Sequence, residues 1–299
     1  MSRVSTPPPL FPGFSRVEVA VNGTTVNAVY GGDGPPVLLL HGYPQTHVMW
    51  HRIAPRLAER FTIVCPDLRG YGDSGKPASD DSHEPYSKRV MARDQVELMR
   101  ALGFGRFAVA GHDRGARVAR RLALDHPDAV SKLTMLDIIP THHIYGTLDQ
   151  QRATTVWRYF FLVQPPDLPE HLIGADPDFY LDHSLNEWCG TPGALAEAAV
   201  AEYRRCFDPA TIHASCEDYR AGATIDLAHD AADAGRRITC PVLVLWSAPG
   251  IGSSYDVLSI WREQADDVHG RALDCGHFLA EERPGETTAE LLAFLTAQP

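Results

Sequence analysis

Along the first half of the chain, short apolar runs alternate with helix-patterned stretches; the rhythm stops at Thr141 and resumes at Val242. Val37–Leu40, Phe61–Cys65, Phe107–Ala110 and Leu133–Leu136 are apolar runs too short for helices and are expected to be buried strands. His47–Arg60, Ser87–Leu102 and Arg114–Leu124 carry apolar residues at helical spacing. Val17–Val21 and Thr25–Tyr30, turned at Asn22-Gly23, read as a leading strand pair. Strands separated by single helices form βαβ units, so the expected fold is α/β: a mostly parallel sheet flanked by helices.

From Thr141 to Arg236 the sequence offers aromatic-rich helical stretches, such as Thr154–Leu162 and Gly193–Cys206, and no strand pattern. Strands return at Val242–Trp246 and Val268–Leu273, with helices near Tyr255–Gln264 and over Gly285–Ala297. The expected organisation is one α/β core, residues 1–140 and 237–299, interrupted by a helical cap domain over residues 141–236. A chain of this size buries about 75% of its unfolded surface, so it needs no metal or disulfide to fold. The six cysteines form no Cys-x-x-Cys pair, and Cys65 and Cys275 sit in apolar runs as reduced core thiols.

The balance of 27 Lys+Arg against 38 Asp+Glu gives a net charge of −11. That excludes a nucleic-acid binder, which presents a basic stripe. No window approaches the roughly 18 apolar residues of a membrane span. The N-terminus, with Pro7-Pro8-Pro9, lacks the apolar stretch of a signal peptide, so a cytoplasmic location with no membrane partner is expected. The acidic balance also disfavours an anionic substrate at first sight. Fields are screened over about 8 Å at physiological salt, however, so cations inside a pocket outweigh distant surface carboxylates.

The chemistry concentrates at Gly111-His112-Asp113-Arg114-Gly115, which follows one expected strand and opens one expected helix. An isolated Gly-x-Asp-x-Gly would equally be a helix cap. Between strand and helix its glycines permit the sharp turn of a nucleophile elbow, with the central side chain lifted out at the strand end. An Asp nucleophile attacking an acyl carbon would give an anhydride, whereas attack on saturated carbon gives an ester. The motif therefore points to displacement at sp³ carbon. His277, on a loop after the last strand, is the expected base, and Asp137, ending the strand Leu133–Leu136, the expected orienter. Asp274 is a rival orienter. Backbone amides of Tyr43 and Arg114 are expected to form an oxyanion hole.

With these residues in view, His41-Gly42-Tyr43-Pro44, Asp67-Leu68-Arg69-Gly70-Tyr71-Gly72-Asp73-Ser74, the elbow and the late histidine resemble the α/β-hydrolase superfamily over the whole chain. Gly111–Arg117, Pro44–Arg52 and Cys216–Ala223 resemble the haloacetate (fluoroacetate) dehalogenases within it. The resemblance implies hydrolytic dehalogenation of small 2-haloacids through an ester on Asp113, without metal or organic cofactor. Haloalkane dehalogenases and most epoxide hydrolases carry Trp after the nucleophile; here it is Arg114, with Arg117 one helical turn on. Two guanidiniums suit a clamp on the substrate's own carboxylate, the alternative for Arg117 being a solvated helix face. The cap halide pair of fluoroacetate-active members falls at Arg158-Tyr159, both changed, while Tyr219 matches their cap tyrosine. This casts doubt on fluoroacetate turnover. His112 and Trp188 are taken as pocket wall, Trp188 serving equally well as a core residue. An epoxide hydrolase using the same Asp–His–Asp set, with Tyr159 and Tyr219 activating the epoxide, is the rival reading. A non-catalytic binding module is disfavoured by the complete nucleophile, base and acid. The expected partner is a small haloacid, with a homodimer as the default assembly.

Overall fold

The computed structural model describes residues 3–5 and 10–297, so Pro7-Pro8-Pro9 lies outside the described residues. Among the described residues nine strands run β1 (Arg3–Ser5), β2 (Ser15–Val21), β3 (Thr24–Gly31), β4 (Pro36–Leu40), β5 (Thr62–Pro66), β6 (Phe107–His112), β7 (Val130–Leu136), β8 (Val242–Ser247) and β9 (Val268–Leu273). They form one sheet in the order β1-β2-β3-β5-β4-β6-β7-β8-β9. The three pairings from β1 through β3 to β5 are antiparallel, and those from β5 to β9 are parallel. The short β1 was not legible in the sequence.

Every residue of β6 is buried, as expected for a central parallel strand covered by helices on both faces. Its neighbours are in register, Leu40 beside Gly111 and His112 beside Leu136. The chain therefore leaves β4, β6 and β7 at one edge of the sheet, where ligands of open α/β sheets bind.

Helix Arg114–Asp125 follows β6 directly. A Cβ on Gly111 would lie 2.5 Å from the Gly115 carbonyl oxygen, and one on Gly115 would lie 2.3 Å from that of His41. Both glycines are thus required for the strand, the turn and the helix to pack this closely. Two expected helices are broken. His47–Arg60 is a 3-10 turn, His47–Trp50, followed by the single turn Ala54–Leu57, whose second residue is Pro55. Thr154–Leu162 divides at Val156 into Gln150–Thr155 and Trp157–Leu162, consistent with the low helix propensity of its Thr-Thr-Val run. Between β7 and β8 the chain is helical from Thr141 to Ala232, and no strand occurs there among the described residues. Among the described residues no helix is long and apolar enough to cross a membrane. Cys65 and Cys275 are buried free thiols.

Candidate active site

Asp113 stands between β6 and the helix at φ +48, ψ −114, a conformation that L-residues rarely adopt. Backbone strain of this kind costs on the order of 1–3 kcal/mol and persists only when surrounding packing imposes it. Here the glycine contacts below the turn and the Asp113 amide, which donates to Leu136 O at 3.2 Å, impose it. The residue is 6% exposed, and Oδ1 accepts from the Tyr43 amide at 3.0 Å. Arg114 opens the helix, so its amide has no intrahelical acceptor. Burial raises the Asp113 pKa, but the charges of His277, Arg114 and Arg117 outweigh it and hold the group below the usual carboxylate range. The carboxylate is therefore ionised at neutral pH.

His277 Nδ1 donates to Asp137 Oδ2 at 2.6 Å, which turns Nε2 toward Asp113 Oδ2, 3.9 Å away. Asp137 Oδ1 accepts from the Ser247 amide at 2.8 Å, which fixes the orienter on β8. Asp274, the rival orienter, is exposed. Burial lowers the His277 pKa, yet the Asp137 hydrogen bond and the charges of Asp137 and Asp113 lift it above the ordinary 6.5.

The His277 loop is held at four backbone atoms. Glu282 accepts from the Gly276 amide at 2.9 Å and the Phe278 amide at 3.0 Å. The His277 amide donates to Trp188 O, and His112 Nε2 donates to His277 O, both at 2.8 Å. His112 thus differs from its expected role. It is fully buried, lies behind His277 rather than on the cavity wall, and burial pushes its pKa down to about 3, so it stays neutral. The Glu282 clamp was missed in the sequence, although its place one helical turn beyond the loop was a usable signal.

Between the strand ends and the helical segment lies a cavity of about 640 Å³, lined by Asp113, Asp137, His277, Tyr159, Arg158, Trp188 and Tyr219 among others. Trp188 packs edge-on against His277, with centroids 5.3 Å apart, and is a wall residue. Arg114 and Arg117 are not on that wall. Arg114 is buried and gives Nε and Nη2 to Asp218 at 2.9 and 2.8 Å, with its guanidinium carbon 4.2 Å from the Tyr219 ring centre. Lys88 and the Tyr71 hydroxyl also bind the Asp218 carboxylate. The expectation of two free guanidiniums is corrected: helical spacing gave their common face, but not the acid from another helix that packs on it. Arg117 bonds to Thr141 and donates to the Tyr159 hydroxyl at 2.6 Å. The expected halide donors are likewise engaged. Arg158 is stacked between Trp157 and Trp188 and approaches Glu187 at 2.5 Å, while Tyr159 is held by Arg117. Among the described residues no cluster of His, Cys, Asp or Glu has the arrangement of a metal site.

A mostly parallel sheet with a strained Asp elbow, a His–Asp pair and a helical cover defines a hydrolase of the α/β type. The family model for the alpha/beta hydrolase fold matches residues 35–284, and the chain belongs to that family. Within it, the chain is 46% identical to a fluoroacetate dehalogenase of Burkholderia sp over 291 residues, covering 96% of this chain and 95% of that protein. It is also 36% identical to a soluble epoxide hydrolase of Corynebacterium sp. (strain C12), over 89% of this chain and 92% of that one. A solved chain from Nostoc sp PCC 7120, described as a candidate α/β hydrolase, superimposes with TM-score 0.94 at 58% identity. That match covers 95% of this chain and 99% of the other.

Proposed function

We propose that this hydrolase dehalogenates small 2-haloacids: haloacetate and water give glycolate, halide and a proton. The observation that carries the reading is the Asp113 carboxylate itself. Ionised, strained upward and held at Oδ1 by the Tyr43 amide, it leaves Oδ2 free to attack. Oδ2 displaces halide from the α-carbon, forming a C–O bond as the C–X bond breaks. His277 Nε2, beside the same carboxyl group, then takes a proton from water as that water adds to Cγ. Negative charge develops on Oδ1, between the amides of Tyr43 and Arg114. Collapse releases glycolate and restores Asp113.

In this reading the substrate carboxylate is drawn by the field of Arg114 and Arg117 beneath the cavity. Tyr159 is its direct donor, because a hydroxyl that accepts from Arg117 keeps its own proton free. Tyr219, which lines the cavity, is the cap donor for the departing halide. Arg158 and Tyr159 already serve other partners, and fluoride, the most strongly hydrated halide, demands the best-placed donors. Chloroacetate and bromoacetate are therefore expected to turn over well and fluoroacetate slowly.

One observation favours a second reading, epoxide hydrolysis: Tyr159 and Tyr219 line the cavity together with ring centres 5.5 Å apart. The experiment is to follow halide release and diol formation from chloroacetate, fluoroacetate and styrene oxide, with the unaltered protein and Asp113→Asn. Halide release by the unaltered protein alone supports dehalogenation. Diol formation without halide release overturns it in favour of the epoxide reading.

A further inference from the structure

Glu281 is a buried carboxyl group that the proposed reaction does not use. It is 0% exposed, and Gln45 and Tyr203 beside it are equally enclosed. Gln45 Nε2 donates to Glu281 Oε2 and, at 3.2 Å, to the Tyr203 hydroxyl. That hydroxyl donates to Glu281 Oε1 at 3.1 Å, so the three side chains close a triangle. Burial pushes the Glu281 pKa up to about 8, and the hydrogen bonds from Gln45 and Tyr203 and the charge of Arg52 offset only part of that rise. A carboxylic acid and a carboxamide each offer both a donor and an acceptor, so the pair is neutral and needs no counter-ion.

The triangle joins three segments far apart in the chain. Gln45 belongs to the turn after β4, which its own amide closes by donating to Gly42 O at 3.0 Å. Inside that turn is the Tyr43 amide that donates to Asp113 Oδ1. Glu281 stands four residues after His277, on the short helix Leu279–Glu282 that follows the base loop, and its amide donates to Phe278 O at 2.9 Å. Tyr203 comes from helix Glu197–Cys206, in the helical segment between β7 and β8. Arg52 adds a second strap from the chain beyond the β4 turn, its Nη1 donating to Glu281 O at 2.9 Å.

Ester hydrolysis makes demands on two of these segments at once. Water loses its proton to His277 Nε2 while charge gathers on Oδ1 beside the Tyr43 amide, so the base and the donor must stand in register. Displacement demands less, because Asp113 is held by its own turn. We infer that Glu281 is a positioning residue which, through Gln45, holds the Tyr43 amide in register with His277 for the hydrolytic step. The inference rests on the Asp113 ester proposed above and touches neither the substrate nor the reacting atoms.

The test is a rapid-quench reaction with chloroacetate that separates the first equivalent of halide from the later release of glycolate. Glu281→Met, Gln45→Met and the combined variant are compared with the unaltered protein. Each single variant is expected to keep the halide burst within about twofold, to slow glycolate release about tenfold or more, and to accumulate the ester. The combined variant should be no slower than the worse single one, since both act through one contact. Glycolate release at the unaltered rate, burst and release slowed alike, or losses that multiply in the combined variant would each overturn the inference. Should the methionine variants fail to fold, the exchanged pair decides. Gln45→Glu alone sets two carboxyl groups face to face and should slow glycolate release, and adding Glu281→Gln should restore it; no restoration overturns the inference. If the unaltered protein opens styrene oxide and releases no halide, the dehalogenase reading falls, and diol release by the same variants reads the same hydrolytic step. Unimpaired variants of a protein that does release halide would remove this inference alone.

Discussion

The Arg114 guanidinium and the Asp218 carboxylate form a two-point pair, Nε to Oδ2 at 2.9 Å and Nη2 to Oδ1 at 2.8 Å, with both side chains almost wholly buried. This pair ties the first turn after the nucleophile to helix Pro209–Ala223, the helix that carries Tyr219. Two cations, Lys88 and Arg114, face Asp218, and Asp226 lies 3.3 Å from Lys88, so the buried charges balance. Removing one partner leaves a buried charge uncompensated, which costs about 3–5 kcal/mol. Asp218→Asn is expected to lose that much stability in urea denaturation. A loss below about 1 kcal/mol would mean that the pair is solvated in solution.

His277→Gln separates the two proposed steps. Displacement needs only Asp113, whereas ester hydrolysis needs a base. The variant is expected to release one equivalent of halide from chloroacetate and then stop, with a carboxymethyl ester on Asp113 detectable by mass spectrometry. Steady turnover would show that another group acts as base.

The pH dependence has a definite sign. His277 acts only when neutral, and its pKa stands above the ordinary 6.5 because the charges of Asp137 and Asp113 offset burial. The rate of ester hydrolysis should therefore rise with pH as His277 loses its proton, through a midpoint below that of His277 in the free protein, because the ester removes the Asp113 charge. Asp137→Asn removes one of those charges, so the midpoint should fall, together with a rate loss of about 10⁴-fold from the misoriented ring. A midpoint that stays in place would separate Asp137 from the base.

Glu281 sets a second pH effect, on stability. It is fully buried, accepts from Gln45 and Tyr203, and burial pushes its pKa up to about 8 from the ordinary 4.5. The folded state thus binds a proton that the unfolded state has released between pH 4.5 and 8. This contribution is complete below pH 4.5 and is lost as pH rises through 8. Urea midpoints should fall with pH across that window and level off above it, and Glu281→Gln should flatten the decline. Equal slopes in both proteins would assign the effect elsewhere.

Glu282 holds the base through its backbone rather than its ring. Glu282→Gln keeps one acceptor and should retain most activity, while Glu282→Ala frees both the Gly276 and Phe278 amides. The alanine variant should lower kcat by roughly 10²-fold with little change in KM, the signature of a displaced catalytic group. An equal loss in both variants would point to a general loss of fold.

The sequence by itself determined the sheet from β2 onward and the elbow that carries Asp113. Apolar runs of strand length fix which segments are buried, and Gly111 and Gly115 fix where a side chain can be lifted from a strand end. Both are local properties, legible from neighbouring residues. His277 and Asp137 were legible because the order of strands brings their loops to the same edge as Asp113. What the tertiary structure decided was the partnership of side chains far apart in sequence: Asp218 on Arg114, Tyr159 on Arg117, Glu282 beneath the base, and His112 turned from the cavity to the base's carbonyl. Helical spacing gives the face on which Arg114 and Arg117 lie. Which acid neutralises a buried guanidinium depends on how a distant helix packs on that face, and residue spacing does not encode it.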